Sequence, residues 1–358
     1  MRDCSQATQT TAPSTHSPLV STLLGLAMSN AGLIPSDFSP VYGTINGYLL
    51  PLAVPLLLFT ADLRRVVRDT GRLLGAFLVG SVATVLGTLA AWKLFPLHGM
   101  GSDGWKVAAA LAARHIGGAV NYVGVCETLD VSASAQMAGL AADNLICALY
   151  FTSIFALAAK IPSDGAAADG AAPEGEGMTG SRSIGVLEGC TAIALSACIC
   201  FAGNVAAKQL GWGTIPVVTA ITVALATCAP GLVAPLAASG EGLAAILMQV
   251  FFAGVGANGS VAAVVATAPA LFAFSTLQLV VHVVLILAIG QLLGFTRREL
   301  LLASNANVGG PTTAAGLAAA KGWRASLVPA LLVGVLGYAI ATFVAVALGT
   351  NVLATARW

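Results

Sequence analysis

Asp143 lies well inside an apolar run, Ala133 to Lys160, with Asn144 beside it. An acid at the centre of a membrane helix costs about 2.5–3.5 kcal/mol on insertion scales. Several Leu or Phe residues, each worth about 0.3–0.6 kcal/mol, are needed to offset it. A carboxyl placed at that cost faces a cavity or a partner, where it can exchange a proton or bind a cation. Arg114 and His115 are its candidate ion-pair partners, which would also serve a structural role alone. Two Gly-Gly elbows supply the second signal. One reads Arg114-His115-Ile116-Gly117-Gly118-Ala119-Val120-Asn121, the other Ala306-Asn307-Val308-Gly309-Gly310-Pro311-Thr312-Thr313. Glycine allows backbone conformations that other residues resist. A helix broken there leaves N–H groups free on one half and carbonyls free on the other, and those ends attract anions and cations respectively. Asn121, Asn305, Asn307, Thr312 and Thr313 add neutral oxygens that could dehydrate a sodium ion or hold a carboxylate. The competing reading is that these side chains only cap broken ends.

The elements that must position these groups are membrane helices. Hydrophobic residues make up 57% of the 358, and charged residues only 9%, against about 25% in a soluble domain. Apolar runs of bilayer-spanning length follow one another along the chain. The expected fold is therefore all-α and polytopic. Alternating ten-residue segments of a membrane β-barrel are absent. A net charge of +1 gives no case for nucleic-acid binding; the expected partners are the lipid bilayer and a small ion or solute, with a homodimer as a candidate assembly. The 40 glycines suit closely packed helices. The seven cysteines read as small buried hydrophobes. No cofactor or metal is expected, and without a nucleophile–base pair or nucleotide loop an enzyme is disfavoured.

The runs are Leu19–Ile34, Ile45–Thr60, Leu73–Phe95, Val107–Val125, Ala133–Lys160, Ile184–Ala206, Ile215–Ala237, Leu243–Val265, Leu271–Phe295, Leu300–Ala320 and Ala325–Leu348. Residues 1–18 read as a disordered or targeting terminus, 162–183 as a flexible linker and 351–358 as a tail. Residues 19–161 and 184–350 read as two repeats. Each carries a long helix, a Gly-Gly segment, a short polar loop and another long helix. The offset of 192 that aligns the elbows leaves Ile184–Ala206 without a counterpart before Leu19, so the first repeat is expected to lack its first helix. The mate of Asp143 is Val335. Loop charge places Arg64, Arg65, Arg68 and Arg72 inside. If both elbow segments turn back, Lys160, Arg182, Arg297, Arg298, Lys321 and Arg324 join them and the repeats are inverted; a broken helix that crosses is the alternative. His282 and Gln249 are expected to be hydrogen-bonded between helices, Asp62 to be an interfacial ion-pair partner, and Glu127 and Asp130 to be solvated, where they could draw cations. Asn258-Gly259-Ser260 is a sequon inside a membrane run.

Several of these segments carry a resemblance. Gly117 to Val123, Ala141-Ala142-Asp143-Asn144, Ala148 to Phe151, Leu33-Ile34-Pro35, Pro51 to Leu58 and Asn307 to Ala314 resemble the membrane family called domain of unknown function 819, over nearly the whole chain after Ser17. That family is distantly similar to cation–proton antiporters and anion transporters. Those proteins place Asp-Asp or Asn-Asp on the helix after the first broken one, where Asp143-Asn144 stands in reversed order. The second Gly-Gly segment is similar to the re-entrant loops of sodium-coupled glutamate and citrate carriers. The resemblance implies a secondary transporter coupling proton or sodium movement to an ion or small solute, either as cation–proton exchange or as organic-anion symport. A non-transporting membrane scaffold or assembly factor is the reading from another class. The membrane, plasma or plastid, is left open.

Overall fold

The computed structural model describes residues 17–35, 40–164, 185–257 and 261–355. The terminus up to residue 16, residues 165–184 with most of the predicted linker 162–183, and the sequon Asn258-Gly259-Ser260 lie outside the described residues. Among the described residues every regular element is helical. In chain order these are α1 (Ser17–Asn30), α2 (Pro40–Thr44), α3 (Leu50–Leu58), α4 (Leu63–Asp69), α5 (Arg72–Leu94), α6 (Gly104–Gly117), α7 (Ala119–Thr128), α8 (Ala133–Ala158), α9 (Val186–Leu210), α10 (Thr214–Cys228), α11 (Pro230–Val233), α12 (Ala237–Ala257), α13 (Val261–Leu292), α14 (Arg297–Gly309), α15 (Pro311–Ala320) and α16 (Leu327–Leu348). Among the described residues, seven helices are long and apolar enough to cross a membrane.

Local chemistry sets the ends. Thr296 and Glu299 form a capping box at the start of α14, satisfying two N–H groups that the first helical turn would leave open. Ser132 caps α8. Asp62, expected as an ion-pair partner, instead accepts from the Arg64 and Arg65 N–H groups as the cap of α4. Its short carboxylate reaches the free N–H groups of its own helix more readily than a distant base. The expected single run Ile215–Ala237 is broken. Ala229 leaves the helical region at φ −134°, ψ 58°, because the Pro230 ring disfavours helical backbone in the residue before it.

The elbow segments double back. Lys106, near the start of α6, donates to the Asp130 carbonyl just beyond α7 (2.8 Å), and the Ser132 N–H donates to the Asp103 carboxylate (3.2 Å). The arms α6 and α7 therefore begin and finish at one end of the bundle. Likewise Arg298, at the start of α14, donates to Ser326 beyond α15 (2.9 Å) and lies over the Trp323 ring. At about 1.5 Å per residue the arms are roughly 15–21 Å long, half to two-thirds of a bilayer core of about 30 Å. Their exit turns match at the offset of 192. Leu129, Asp130 and Val131 N–H groups bond to Val125, Glu127 and Cys126, as Lys321, Gly322 and Trp323 bond to Leu317, Ala319 and Ala318.

The two hairpins rise from opposite ends. Arg72, at the start of α5, pairs with Glu299 (3.0 Å) at the base of the second hairpin. The 23 residues of α5 then carry the chain to the base of the first. α8 returns to the arginine end, where Asp164 pairs with Arg298 and the Trp323 indole donates to the Pro162 carbonyl (2.9 Å). The head of the predicted linker is thus held against the second hairpin. α6 is enclosed so completely that every side chain from Ala108 to Ala113 is buried.

Candidate ion and solute site

The hairpin tips meet in the interior. Gly118 and Gly310 both adopt φ +84°, with ψ −174° and −169°, a region open essentially to glycine alone. A Cβ added to Gly118 would stand 3.7 Å from the Gly309 carbonyl oxygen and 3.5 Å from the Tyr338 ring; one on Gly310 would stand 3.1 Å from that ring. Tyr338, on α16, thus contacts both tips. α16 can approach so closely because it presents glycine there: a Cβ on Gly337 would lie 2.7 Å from the Ile116 carbonyl, and Gly334 lies against Pro311.

Asp143, fully buried on α8, receives both predicted partners. Arg114 Nε lies 2.9 Å from its Oδ2, and His115 Nε2 lies 2.7 Å from Oδ1. The carboxylate can only accept from a ring N–H, which places the His115 proton on Nε2 and leaves Nδ1 without a partner. Cys147, one turn along α8, donates to Oδ2 (3.4 Å). Arg114 also donates through Nη1 to the Val308 carbonyl at the second tip (2.9 Å). One guanidinium therefore ties the first hairpin to α8 and to the second hairpin. His115, Asp143 and Cys147 also offer ligand atoms within 4.8 Å of one another, and a cation binding there would have to displace Arg114 from the same carboxylate.

The neutral candidates divide. Asn121 donates to the Gly117 carbonyl (2.8 Å) and accepts from Thr342 (2.8 Å); its repeat mate Thr313 donates to the Gly310 carbonyl (3.1 Å). Both are caps on broken ends. Asn307 donates to Ser81 (3.0 Å), leaving its oxygen unpartnered. Asn305 is fully buried with neither amide atom bonded, and Asn144 has an unbonded amide nitrogen. Thr312 is exposed. Unpaired buried amides cost free energy and mark places where a ligand or water would be bound.

A family model described as "Protein of unknown function (DUF819)" matches residues 12–355. The chain belongs to the DUF819 family. A relative, the "Uncharacterized membrane protein YjcL" of Bacillus subtilis (strain 168), is 32% identical over 354 residues, covering 90% of this chain and 86% of that one. With seven helices long and apolar enough to cross, this DUF819 protein is an integral, multi-pass membrane protein.

Sequence reasoning missed a buried polar chain in the DUF819 fold. Tyr150 and Ser304 hydroxyls lie 2.6 Å apart. Ser304 meets His282 Nε2 at 2.9 Å, and His282 Nδ1 meets Thr84 Oγ1 at 2.9 Å. Thr84 in turn donates to the His115 carbonyl (3.0 Å). This chain joins α8, α14, α13, α5 and α6, and so both hairpins. Only His282 stood out in the sequence, because a hydroxyl in an apolar run is too cheap to signal a partner. Tyr338 was missed for the same reason.

Proposed function

We propose that this protein is a secondary active transporter, coupling proton or sodium movement to transport of an ion or small solute by alternating access. The observation that carries the reading is the buried Arg114–Asp143–His115 cluster set where two hairpin tips meet. Charges inside a membrane bundle are expensive, and those that persist mark ion or solute pathways. Half-helix ends converging near the midplane are the common form of a transporter site. The two halves are read as inverted repeats, with the arginine end inside: Arg72 meets Glu299, Arg298 meets Asp164 and Lys321 donates to the Ala159 carbonyl there, a basic side of the kind the positive-inside rule expects. Asp143 takes the coupling ion. Asn305, Asn307, Thr312 and the elbow backbones hold the solute, while Asn121 and Thr313 keep the broken ends in shape. One bundle then rocks against the other about the tips.

Organic-anion symport is a second reading, favoured by Arg114. With Asp143 charged, the pair is neutral. Once Asp143 takes a proton or sodium, the guanidinium is left with a net charge beside the free N–H groups of α7 and α15, a setting that holds carboxylates. Purified protein in liposomes, screened for sodium, proton and carboxylate flux, tests both. Wild type should move at least one of them, and Asp143→Asn should lower that flux tenfold or more and abolish its pH dependence. No flux in wild type, together with an unchanged cell phenotype for Asp143→Ala, would overturn the transporter reading.

A further inference from the structure

A cavity of about 620 Å³ opens between the π-helical segment Ile45–Leu49 that joins α2 to α3, the end of α7, α9 and the start of α10. It lies at the Asp130 end of the bundle. Its inner wall includes Ile215, which also lines a gap of about 10 Å³ bordered by Val120, Asn121, Tyr338 and Thr342. That gap, about the size of one water probe, abuts the first hairpin tip. The opposite end carries the Arg298–Asp164 and Arg72–Glu299 ion pairs and the Arg298–Ser326 hydrogen bond. The cavity thus reaches toward the first hairpin tip through the shared Ile215.

Its chemistry is one-sided. Among the described lining residues Glu127 carries the only formal charge, and no Lys or Arg is present. Tyr48 and Phe201 line it too, at 72% and 74% exposure, so the protein itself leaves most of each ring uncovered. A carboxylate with uncovered aromatic rings is a setting for an organic ammonium ion, which gains from both the charge and the ring quadrupoles. At this volume a drug-sized molecule is accommodated.

We propose that this cavity is the solute entrance and binds organic ammonium ions through Glu127, Tyr48 and Phe201. The inference rests on the transporter reading and argues against a carboxylate entering by this mouth. Cys200 supplies a built-in reporter. It lines the cavity, is partly buried and donates to the Pro51 carbonyl (3.2 Å). The full chain in detergent is treated with N-ethylmaleimide, and modification of Cys200 alone is followed by peptide mass mapping. Benzyltrimethylammonium is expected to slow it at least fivefold, whereas neutral neopentylbenzene and benzoate leave it unchanged. Glu127→Gln should weaken protection about tenfold, and Phe201→Leu about threefold. Both sites are exposed, and if one variant misfolds the other carries the test. Equal protection by neopentylbenzene would make the cavity a lipid-like groove and overturn the proposal, as would protection by benzoate or full protection in both variants. Liposome flux separates the two readings: flux without protection refutes the entrance alone, and protection without flux refutes transport alone.

Discussion

Asp143 and Arg114 stand or fall together. Removing one partner of a buried pair leaves the other charge stranded, at about 3–5 kcal/mol, whereas removing both is far milder. Asp143→Asn should therefore lower the unfolding midpoint in detergent, and Asp143→Asn with Arg114→Gln should recover much of that loss. If the double variant is as unstable as the sum of the singles, the contact is not an energetic pair. Glycine supplies a second residue-scale case. Gly310→Ala places a side chain at φ +84°, against Tyr338, and should cost about 1–3 kcal/mol. Gly316, five positions beyond the start of α15, has open space around it, so Gly316→Ala should be neutral or slightly stabilising in the same melt. Equal effects at the two positions would remove the argument for a strained elbow.

At the scale of the element, each hairpin is a pair of short helices that could not span the bilayer alone. Each closes its base with a side chain: Lys106 reaching Asp130 in one, Arg298 reaching Ser326 in the other. Returning arms predict a labelling pattern. Cysteines replacing Asp103 and Asp130 should react with a membrane-impermeant maleimide from one side of intact vesicles. Cysteines replacing Arg297 and Lys321 should react only from the other. Reaction of the first two from opposite faces would make α6–α7 a crossing segment. At the offset of 192 the exit turns share a positive φ, at Asp130 (53°) and at its mate Gly322 (67°). An aspartate tolerates that backbone better than most residues.

The whole molecule is held at the arginine end by contacts between halves. Arg298 hydrogen-bonds Asp164 and holds its carboxyl below the ordinary range, aided by the Ala325 N–H. A carboxyl with a lowered folded pKa stabilises the fold above its unfolded value of about 3.9 and loses that contribution as pH falls through the folded value. The clamp should therefore be insensitive to pH between about 5 and 8 and loosen below about 4. Fluorescence of Trp323, which lies beneath Arg298, reads it in a variant whose other four tryptophans are replaced by Phe. In Asp164→Asn that low-pH step should disappear. A step centred near neutrality would point to a different group.

Composition and run length alone determined that this chain is a bundle of membrane helices, since a charged fraction of 9% cannot clothe a soluble surface. The elbows, Asp143 and its partners Arg114 and His115 were legible because glycine pairs and charges are costly in lipid and so stand out. Three-dimensional packing alone decided the rest. Charge counting left crossing and returning paths both open, whereas the Lys106–Asp130 and Arg298–Ser326 contacts bring the two ends of each elbow segment together. The split among the amides followed likewise: Asn121 is spent on a cap and Asn305 is left unpaired, a difference of neighbours rather than of residue type. Tyr338 and His282's chain partners Tyr150, Ser304 and Thr84 stayed hidden because hydroxyls cost little in an apolar run. Their meaning depends on which helices the fold brings together.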